Sequence, residues 1–113
     1  MDYKLTNDAD YLLCVLYKNY KERRKNGENK DDAKIMNSSE HIFMTLLSEW
    51  KYEDVDETCR ELHRADLLDC FYADDVVEFS ILTDAAIIYM ENRFKNGISE
   101  ILDTISKLKS LIF

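Results

Sequence analysis

Two arginines spaced four residues apart, Arg60 and Arg64, are the side chains best suited by type and spacing to contact nucleic acid. A guanidinium group donates paired hydrogen bonds to a guanine edge, and residues four apart share one side of a helix. Lys51 and His63 lie near the pair and are assigned to the same surface. These four residues predict a helix that enters the major groove of double-stranded DNA.

The acidic residues around this pair favour a different interpretation of the same helix. Asp56 precedes Arg60 by four residues and Glu61 precedes Arg64 by three. Opposite charges at these spacings pair along a helix for about 0.2–0.5 kcal/mol each. Residues 49–78 hold eleven acids and three bases, so this segment alone accounts for the net charge of −8. Because carboxylates repel phosphate, an ion-paired face in solvent or a surface for a basic protein fits the pattern as well as DNA recognition does.

A second group of basic residues lies at the predicted C-terminal end of the first helix. Arg23 and Arg24 stand there among three lysines, and Asn26-Gly27 follows as a helix stop. Cations stabilise the negative end of a helix dipole, so a solvated helix end explains the cluster without any ligand. The alternative is a patch that contacts phosphates or an acidic partner. In the DNA-binding interpretation it acts together with Ser38 and Ser39 at the start of the next helix.

Other chemistry has little support in the spacing of the reactive side chains. Cys14, Cys59 and Cys70 are an odd number of thiols without a Cys-x-x-Cys spacing, which favours reduced, buried cysteines in a cytoplasmic protein. His41 and His63 stand far apart, so no metal site is expected. The sequence holds no glycine-rich phosphate loop, no nucleophile motif and no apolar run of membrane-spanning length. We therefore expect neither an enzyme nor a cofactor, and no membrane partner.

The first two predicted helices position the serines and the second group of basic residues. Thr6 or Asn7 can cap the first helix, whose apolar residues recur at helical spacing. A capping-box-like start at Asn37, with Glu40 three residues later, begins the second helix, SSEHIFMTLLSEW. Both helices are expected to bury one apolar stripe.

The third predicted helix carries the arginine pair. Asp54, with Glu57 three residues later, predicts its cap and an acidic first turn. Val55, Cys59 and Leu62 share one apolar face. Placing that face inward turns the charged residues outward, and these are Glu53, Asp56, Glu57, Arg60, Glu61 and Arg64.

A β-hairpin is predicted after the third helix. A short apolar run consists of Leu67-Leu68 and Cys70-Phe71-Tyr72, Ala73-Asp74-Asp75 is a turn signal, and residues 76–81 are rich in β-branched and aromatic side chains. Thr83 can then cap a further helix that ends near Phe94. Because the turn bears two acids and no base, the hairpin is expected to be structural or to contact a protein.

The last predicted helix repeats apolar residues at alternating spacings of three and four. Asn96-Gly97 separates it from the rest, which predicts a domain over residues 1–95 and a C-terminal helix over residues 96–113. Such a heptad seam can pack against a second copy of the chain or against the chain's own core. We expect it to form a homodimer, through Ile98, Ile101, Ile105, Leu108 and Ile112.

Three stretches are distinctive in combination: SSEHIFMTLLSEW, YEDVDETCRELHRADLL and FSILTDAAIIYMENRF. Together they resemble a family of small winged-helix proteins of Gram-positive bacteria and their phages, over roughly residues 36–112. The resemblance implies a winged helix-turn-helix with an extra C-terminal helix, a mostly α fold with a small β-hairpin (α+β). It also implies DNA binding and transcriptional control. The acidic third helix and turn depart from the DNA-binding members.

Two functions are therefore expected from the sequence. The first is a dimeric DNA-binding transcriptional regulator, in which the seam presents two third helices to a two-fold related site in double-stranded DNA. The alternative is an acidic protein-interaction module that uses the same scaffold to bind a basic protein and not DNA. The architecture favours the first, whereas the charge distribution favours the second.

Overall fold

Eight elements of secondary structure lie along residues 3–112, the part of the chain that this computed structural model describes. They are six helices and one antiparallel hairpin, which confirms the predicted α+β composition. The outer limits of the two predicted segments, residues 1–2 and 113, lie outside the described residues. The element bounds are α1 Asn7–Lys25, α2 Lys30–Ala33, α3 Ser39–Leu46, α4 Tyr52–Arg64, β1 Leu68–Ala73, β2 Val76–Leu82, α5 Asp84–Arg93 and α6 Ile98–Ile112.

Helix α1 is the centre of the hydrophobic core. It begins as predicted after Thr6, whose hydroxyl accepts a hydrogen bond from the Ala9 N–H. Helices α2, α4, α5 and α6 all pack against it. A helix that is apolar on several sides is typical of such a central position. Its buried residues are Ala9, Tyr11, Leu12, Leu13, Cys14, Leu16, Tyr17 and Tyr20.

The next two long helices begin at different residues from those predicted. The sequence predicts Asn37 as the cap of α3, but Asn37 has a φ of 65° and Ser38 takes the cap position instead. The predicted cap at Asp54 is also wrong. Its N–H donates to the carbonyl of Lys51, which places the start of α4 at Tyr52. Within the described helices, none is long and apolar enough to cross a lipid bilayer.

Strands β1 and β2 form the predicted hairpin. The turn residues Asp74 and Asp75 have φ values of 52° and 64°, the left-handed pair that a two-residue turn of type I′ requires. The pairing is antiparallel and slips by one residue between Phe71 and Tyr72, which is a β-bulge. One face of the hairpin is buried against the helices, through Leu68, Cys70, Val77, Ser80 and Leu82.

A short segment before α3 lies along the outer edge of β2. Ile35 forms an isolated bridge with Ile81. The Met36 N–H donates to the Ser80 carbonyl at 2.9 Å, and the Leu82 N–H donates to the same segment at 2.8 Å. The sequence does not predict this strand-like segment, because it is too short to show a period of two.

Helix α5 is held at both ends by polar contacts. Thr83 caps it as predicted, since its hydroxyl accepts from the Ala86 N–H at 3.1 Å and donates to the Asp66 carbonyl at 2.8 Å. At the other end Arg93 forms two parallel hydrogen bonds to the carboxylate of Asp10, at 2.6 Å and 3.0 Å. Helix α5 is thereby fixed to α1.

Helix α6 packs along α1 of the same chain. Ile101 and Leu108 of the predicted seam are only 1% and 8% exposed, and Ile105 and Ile112 pack partly against the same core. Ile98, the first residue of α6, lies beside the C-terminal end of α1 and is partly exposed. This is the intramolecular arrangement that the seam also permits. The homodimer stays a prediction, which now has to use surface other than Ile101 and Leu108.

Candidate interaction surface of the fourth helix and the hairpin

The carboxylate of Asp56 lies between α3, α4 and β2. Only 8% of the residue is exposed. One carboxylate oxygen accepts hydrogen bonds from the Ser39 hydroxyl at 2.7 Å and from the Val77 N–H at 2.9 Å. The other accepts from Arg60 Nε at 2.9 Å. The predicted outward position of Asp56 is therefore wrong, because the hairpin packs over this side of α4.

Two opposing effects set the charge of Asp56. Burial by itself raises the pKa of this carboxyl, since it disfavours the charged form. The hydrogen bonds from Val77, Ser39 and Arg60, with the positive charge of Arg60, outweigh burial and leave the pKa of Asp56 below its ordinary value of 3.8. Asp56 is thus a charged carboxylate at neutral pH that joins three segments.

Arg60 is held between α4 and the hairpin. Besides its pair with Asp56, its Nη2 donates to the carbonyl oxygen of Asp75. Its guanidinium also lies 4.9 Å from the centroid of the Tyr72 ring. The hydrogen bond with Asp56 raises the pKa of Arg60. A paired contact of Arg60 with a guanine edge would compete with these interactions.

Arg64 is exposed on α4 and pairs with a different acid from the one predicted. Its Nη2 donates at 3.1 Å to Glu57, seven residues earlier. The predicted partner, Glu61, accepts instead from the N–H and the hydroxyl of Thr6, at 3.0 Å and 2.8 Å. Exposed ion pairs contribute about 0–1 kcal/mol. Arg64 can therefore exchange Glu57 for another anion with little loss of stability.

The fold uses His63 and Lys51 in different ways. His63 Nδ1 lies 2.7 Å from the Tyr72 hydroxyl oxygen, so His63 joins α4 to β1. Lys51 is exposed just before α4 and forms no ion pair with any residue of 3–112. Of the four predicted DNA contacts in this region, Lys51 and Arg64 are thus the ones most open to solvent.

The two serines predicted to help in DNA binding serve the fold of α3. Ser38 is its cap, and its hydroxyl accepts from the His41 N–H at 3.0 Å. Ser39 is completely buried and donates to Asp56. Because this hydroxyl lies inside the protein, the predicted contact of Ser39 with DNA would require its bond to Asp56 to break.

Arg23 fixes the connection that follows α1. Its Nε donates to the Glu28 carboxylate at 2.8 Å, and its two terminal nitrogens donate to the carbonyls of Ile35 and Asp32 at 2.6 Å and 2.7 Å. Arg24 is exposed and donates to the Glu28 carbonyl at 3.2 Å. A phosphate contact by Arg23 would compete with all three of its bonds, whereas Arg24 is more accessible.

An open groove of about 650 Å³ lies beside the C-terminal end of α1 and is called the basic groove below. Lys21, Arg24 and Lys25 line it, and Ile98 of α6 contributes to its wall. Neither lysine forms an ion pair with another residue of the described chain. The groove lies where the sequence predicts a patch for phosphates or an acidic partner, and this binding role stays a prediction.

Seven carboxylates of α4 and the hairpin are exposed, and they are called the acidic surface below. Within residues 3–112, Glu57 pairs with Arg64 and the other six form no ion pair. Arg60 forms no ion pair with any of the seven, since its guanidinium is held by Asp56 and by the carbonyl of Asp75, although its charge also attracts the Asp75 carboxylate. The acidic surface consists of Glu53, Asp54, Glu57, Asp69, Asp74, Asp75 and Glu78.

Two exposed apolar features accompany the acidic surface and are not among the predicted site residues. Phe71 and Phe79 face each other across the hairpin, with ring centroids 6.1 Å apart. The alternation of Asp69, Cys70 and Phe71 along β1 is the signal that could have placed Phe71 outside. A shallow pocket of about 260 Å³ between α3 and α4 is lined by Glu40, Phe43, Met44 and Tyr52.

The cysteines are buried free thiols. Burial raises the pKa of Cys14 to about 12 and that of Cys70 to about 11, and it also raises the pKa of Cys59. A thiol of this kind stays protonated at neutral pH and is a poor nucleophile. Within residues 3–112, no group of three or more His, Cys, Asp or Glu side chains is arranged to hold a metal ion.

Three features bear on function: the acidic surface, the arginine Arg60 that Asp56 and the hairpin hold in place, and the basic groove beside α1. Asp56 connects the first two of these features, because it fixes both Arg60 and the position of the hairpin. Comparison of the chain with protein-family models, with curated proteins and with solved structures gives no match.

Proposed function

We propose that the protein is an interaction module that binds a basic protein partner through its acidic surface. The observation that carries this proposal is how the neighbouring cations are used. Arg60 is held by Asp56 and the hairpin, whereas six of the seven carboxylates form no ion pair within residues 3–112. A surface of one charge sign speeds the arrival of an oppositely charged partner and disfavours phosphate-bearing ones.

We infer that the scaffold is a winged helix with additional helices at its C-terminal end. In support, α1, the segment at Ile35, α3, α4 and the hairpin follow one another in the order of that fold. In this assignment α3 and α4 form the helix-turn-helix and the hairpin is the wing. A scaffold of this kind is compatible with protein binding, because fold alone does not determine function.

Removal of charge at the hairpin turn tests the proposed function. Asparagine tolerates the positive φ of both positions, so the double variant Asp74→Asn with Asp75→Asn removes two charges and keeps the turn. The matched control Asp31→Asn with Asp103→Asn removes two exposed charges elsewhere. We expect the turn variant to bind a synthetic lysine-rich peptide roughly threefold to tenfold more weakly than the wild type, and the control to bind normally.

Isothermal titration calorimetry at about 50 mM and 200 mM salt measures these affinities, because an electrostatic contact weakens as the salt concentration rises. Failure of the wild-type protein to bind the lysine-rich peptide at the lower salt concentration would contradict the proposal. An equal loss of affinity in the turn variant and in the control would mean that only net charge matters, and it would contradict the assignment to the acidic surface.

A dimeric DNA-binding transcriptional regulator is the second candidate, favoured by the inferred helix-turn-helix. Lys51 and Arg64 are the accessible cations beside and on α4, and Lys21 and Lys25 line the basic groove. If the protein binds DNA, the duplex from the region upstream of the gene should be retarded in a gel-shift assay. The double variant Lys51→Ala with Arg64→Ala should then retard it less than the wild type does. A gel-shift titration at about 50 mM salt that shows no retardation of this duplex or of a random duplex would reject the candidate. Light scattering measures whether a dimer forms.

A further inference from the structure

The face of the hairpin that is turned away from α4 is apolar along its centre. Phe71 lies opposite Phe79 in the strand register, and their ring centroids are 6.1 Å apart. Ile81 lies on the same face, two residues further along β2, and is bridged to Ile35. Phe71 is 54% exposed and the other three side chains are partly exposed. These four residues form a continuous patch, called the apolar strip below.

Carboxylates border the apolar strip. Asp69 is the register partner of Ile81 at one end, and Asp74 and Asp75 form the turn at the other end. Glu78 is the extra residue of the bulge and is exposed beside the strip. None of these four carboxylates forms an ion pair within residues 3–112. A group that covers the strip must therefore combine apolar side chains with cations.

This combination of charge and apolar character disfavours two other occupants. A second copy of the chain, related by two-fold symmetry, would bring one acidic border against the other, and like charges at a contact are unfavourable. A nucleic acid would present its phosphates to the same carboxylates. Stabilisation of the hairpin by the aromatic pair does not by itself explain why half of Phe71 remains in solvent.

We propose that the apolar strip docks a segment of the partner protein in which apolar side chains are flanked by lysine or arginine. This inference rests on the proposed function and specifies where on the acidic surface the partner lies. Burial of the apolar side chains against Phe71, Phe79 and Ile81 supplies affinity. The flanking cations meet Asp69 and the turn carboxylates and supply selectivity.

Three short synthetic peptides test the docking site. One combines leucine with lysine, the second has serine in place of each leucine, and the third has glutamate in place of each lysine. We expect the leucine–lysine peptide to bind best and to shift the NMR amide signals of Phe71, Phe79 and Ile81. Phe71→Thr, which keeps a strand-forming residue, should weaken this binding roughly tenfold. Phe71→Leu should retain most of the affinity, and the control Leu111→Gln on the exposed face of α6 should retain all of it.

Each other outcome distinguishes between the inference and the proposed function. Equal affinity for the leucine–lysine and serine–lysine peptides would overturn the apolar strip as a docking site and leave the acidic surface as the binding site. Failure of every lysine-containing peptide to bind would contradict both the apolar strip as a docking site and the acidic surface as a binding site.

The position of the NMR signal shifts gives a further test. Shifts centred on Phe43 and Met44, in the pocket between α3 and α4, would also overturn the inference. If the NMR signals of the hairpin shift with protein concentration in the absence of peptide, a second copy of the chain is the occupant. A loss of affinity in Phe71→Leu equal to that in Phe71→Thr would exclude a simple apolar contact.

Discussion

At the scale of single residues, Asp56 determines how the hairpin sits on α4. Its two oxygens accept from a serine hydroxyl on α3, a backbone N–H on β2 and the guanidinium of Arg60. Each donor would lose a buried or partly buried acceptor if the carboxylate were removed. A guanidinium group can contact a ligand, but Arg60 mainly stabilises the fold by joining α4 to the hairpin.

Replacement of Asp56 by alanine should therefore lower the free energy of unfolding by about 2–4 kcal/mol. The physical reason is that the Val77 N–H remains buried without its acceptor, the Ser39 hydroxyl loses its shortest hydrogen bond, and Arg60 loses its ion pair. Urea unfolding measures this change. The control Asp54→Ala removes an exposed carboxylate of the same helix and should change stability by less than about 0.5 kcal/mol. Similar effects of the two substitutions would disprove the structural role of Asp56.

The lowered pKa of Asp56 also predicts a pH dependence of its contribution. Because the pKa in the folded state lies below the ordinary value of 3.8, the carboxylate stabilises the protein above that pH, and the contribution is lost as the pH falls through the folded-state pKa. The stability difference between the wild type and Asp56→Ala should therefore shrink between about pH 5 and about pH 2. Urea unfolding across this range measures it, and a difference that grows toward low pH would refute the charged state assigned to Asp56.

At the scale of elements, α6 illustrates a pattern that two different structures can satisfy. A heptad seam specifies that one face is buried but not which helix covers it. In this structure α1 covers the central residues Ile101 and Leu108, and Leu102 and Leu111 remain exposed on α6. Burial within the chain and burial in a dimer give different concentration dependences of stability.

The substitution Ile101→Ala should lower the free energy of unfolding by about 2–4 kcal/mol, because it leaves a cavity between α6 and α1. If the seam packs only within its own chain, the unfolding midpoints of wild type and variant do not depend on protein concentration, which urea unfolding at several concentrations can measure. Leu102→Ala is the matched control on the exposed face and should have a much smaller effect. A midpoint that rises with protein concentration in the wild type and not in Ile101→Ala would support the seam as a dimer interface.

Several features that nearby residues determine are predicted correctly from the sequence, although the caps at Asn37 and Asp54 are not. Thr6 and Thr83 cap their helices and Asp74-Asp75 forms the turn of the hairpin. These features are predictable because each depends mainly on residues that are close in sequence. Helical spacing alone cannot reveal that Asp56 is buried, since the covering hairpin lies beyond α4 in sequence. The same limit applies to Arg23, whose acceptors include carbonyls in the next connection.

At the scale of the whole molecule, the pair of Arg93 and Asp10 joins regions near the two ends of the chain. The residues are 83 positions apart, and their two hydrogen bonds hold α5 against α1. The pKa of Arg93 is raised, chiefly by the hydrogen bonds with Asp10. Both side chains are only partly exposed, so the pair is shielded from solvent more than the surface pair of Arg64 and Glu57 is.

A double-mutant cycle should separate the contributions of these two ion pairs. We expect a coupling free energy of about 1–3 kcal/mol between Arg93→Ala and Asp10→Ala, because the pair is bidentate and partly buried. The exposed pair of Arg64 and Glu57 is the control and should give less than about 0.5 kcal/mol. Urea unfolding of the single and double variants measures both values. Equal coupling in the two cycles would show that shielding from solvent has no effect here.

The buried thiols of this fold bear on how its motions can be followed. The Cys70 thiol donates to the Cys59 carbonyl at 3.7 Å where the hairpin rests on α4, whereas Cys14 lies inside α1. Since a covered, protonated thiol reacts with an alkylating reagent only after local opening, its labelling rate reports the frequency of that opening. Pulse labelling of Cys70 and Cys14 would therefore time the lifting of the hairpin separately from the unfolding of the core, with no foreign reporter group added to the chain.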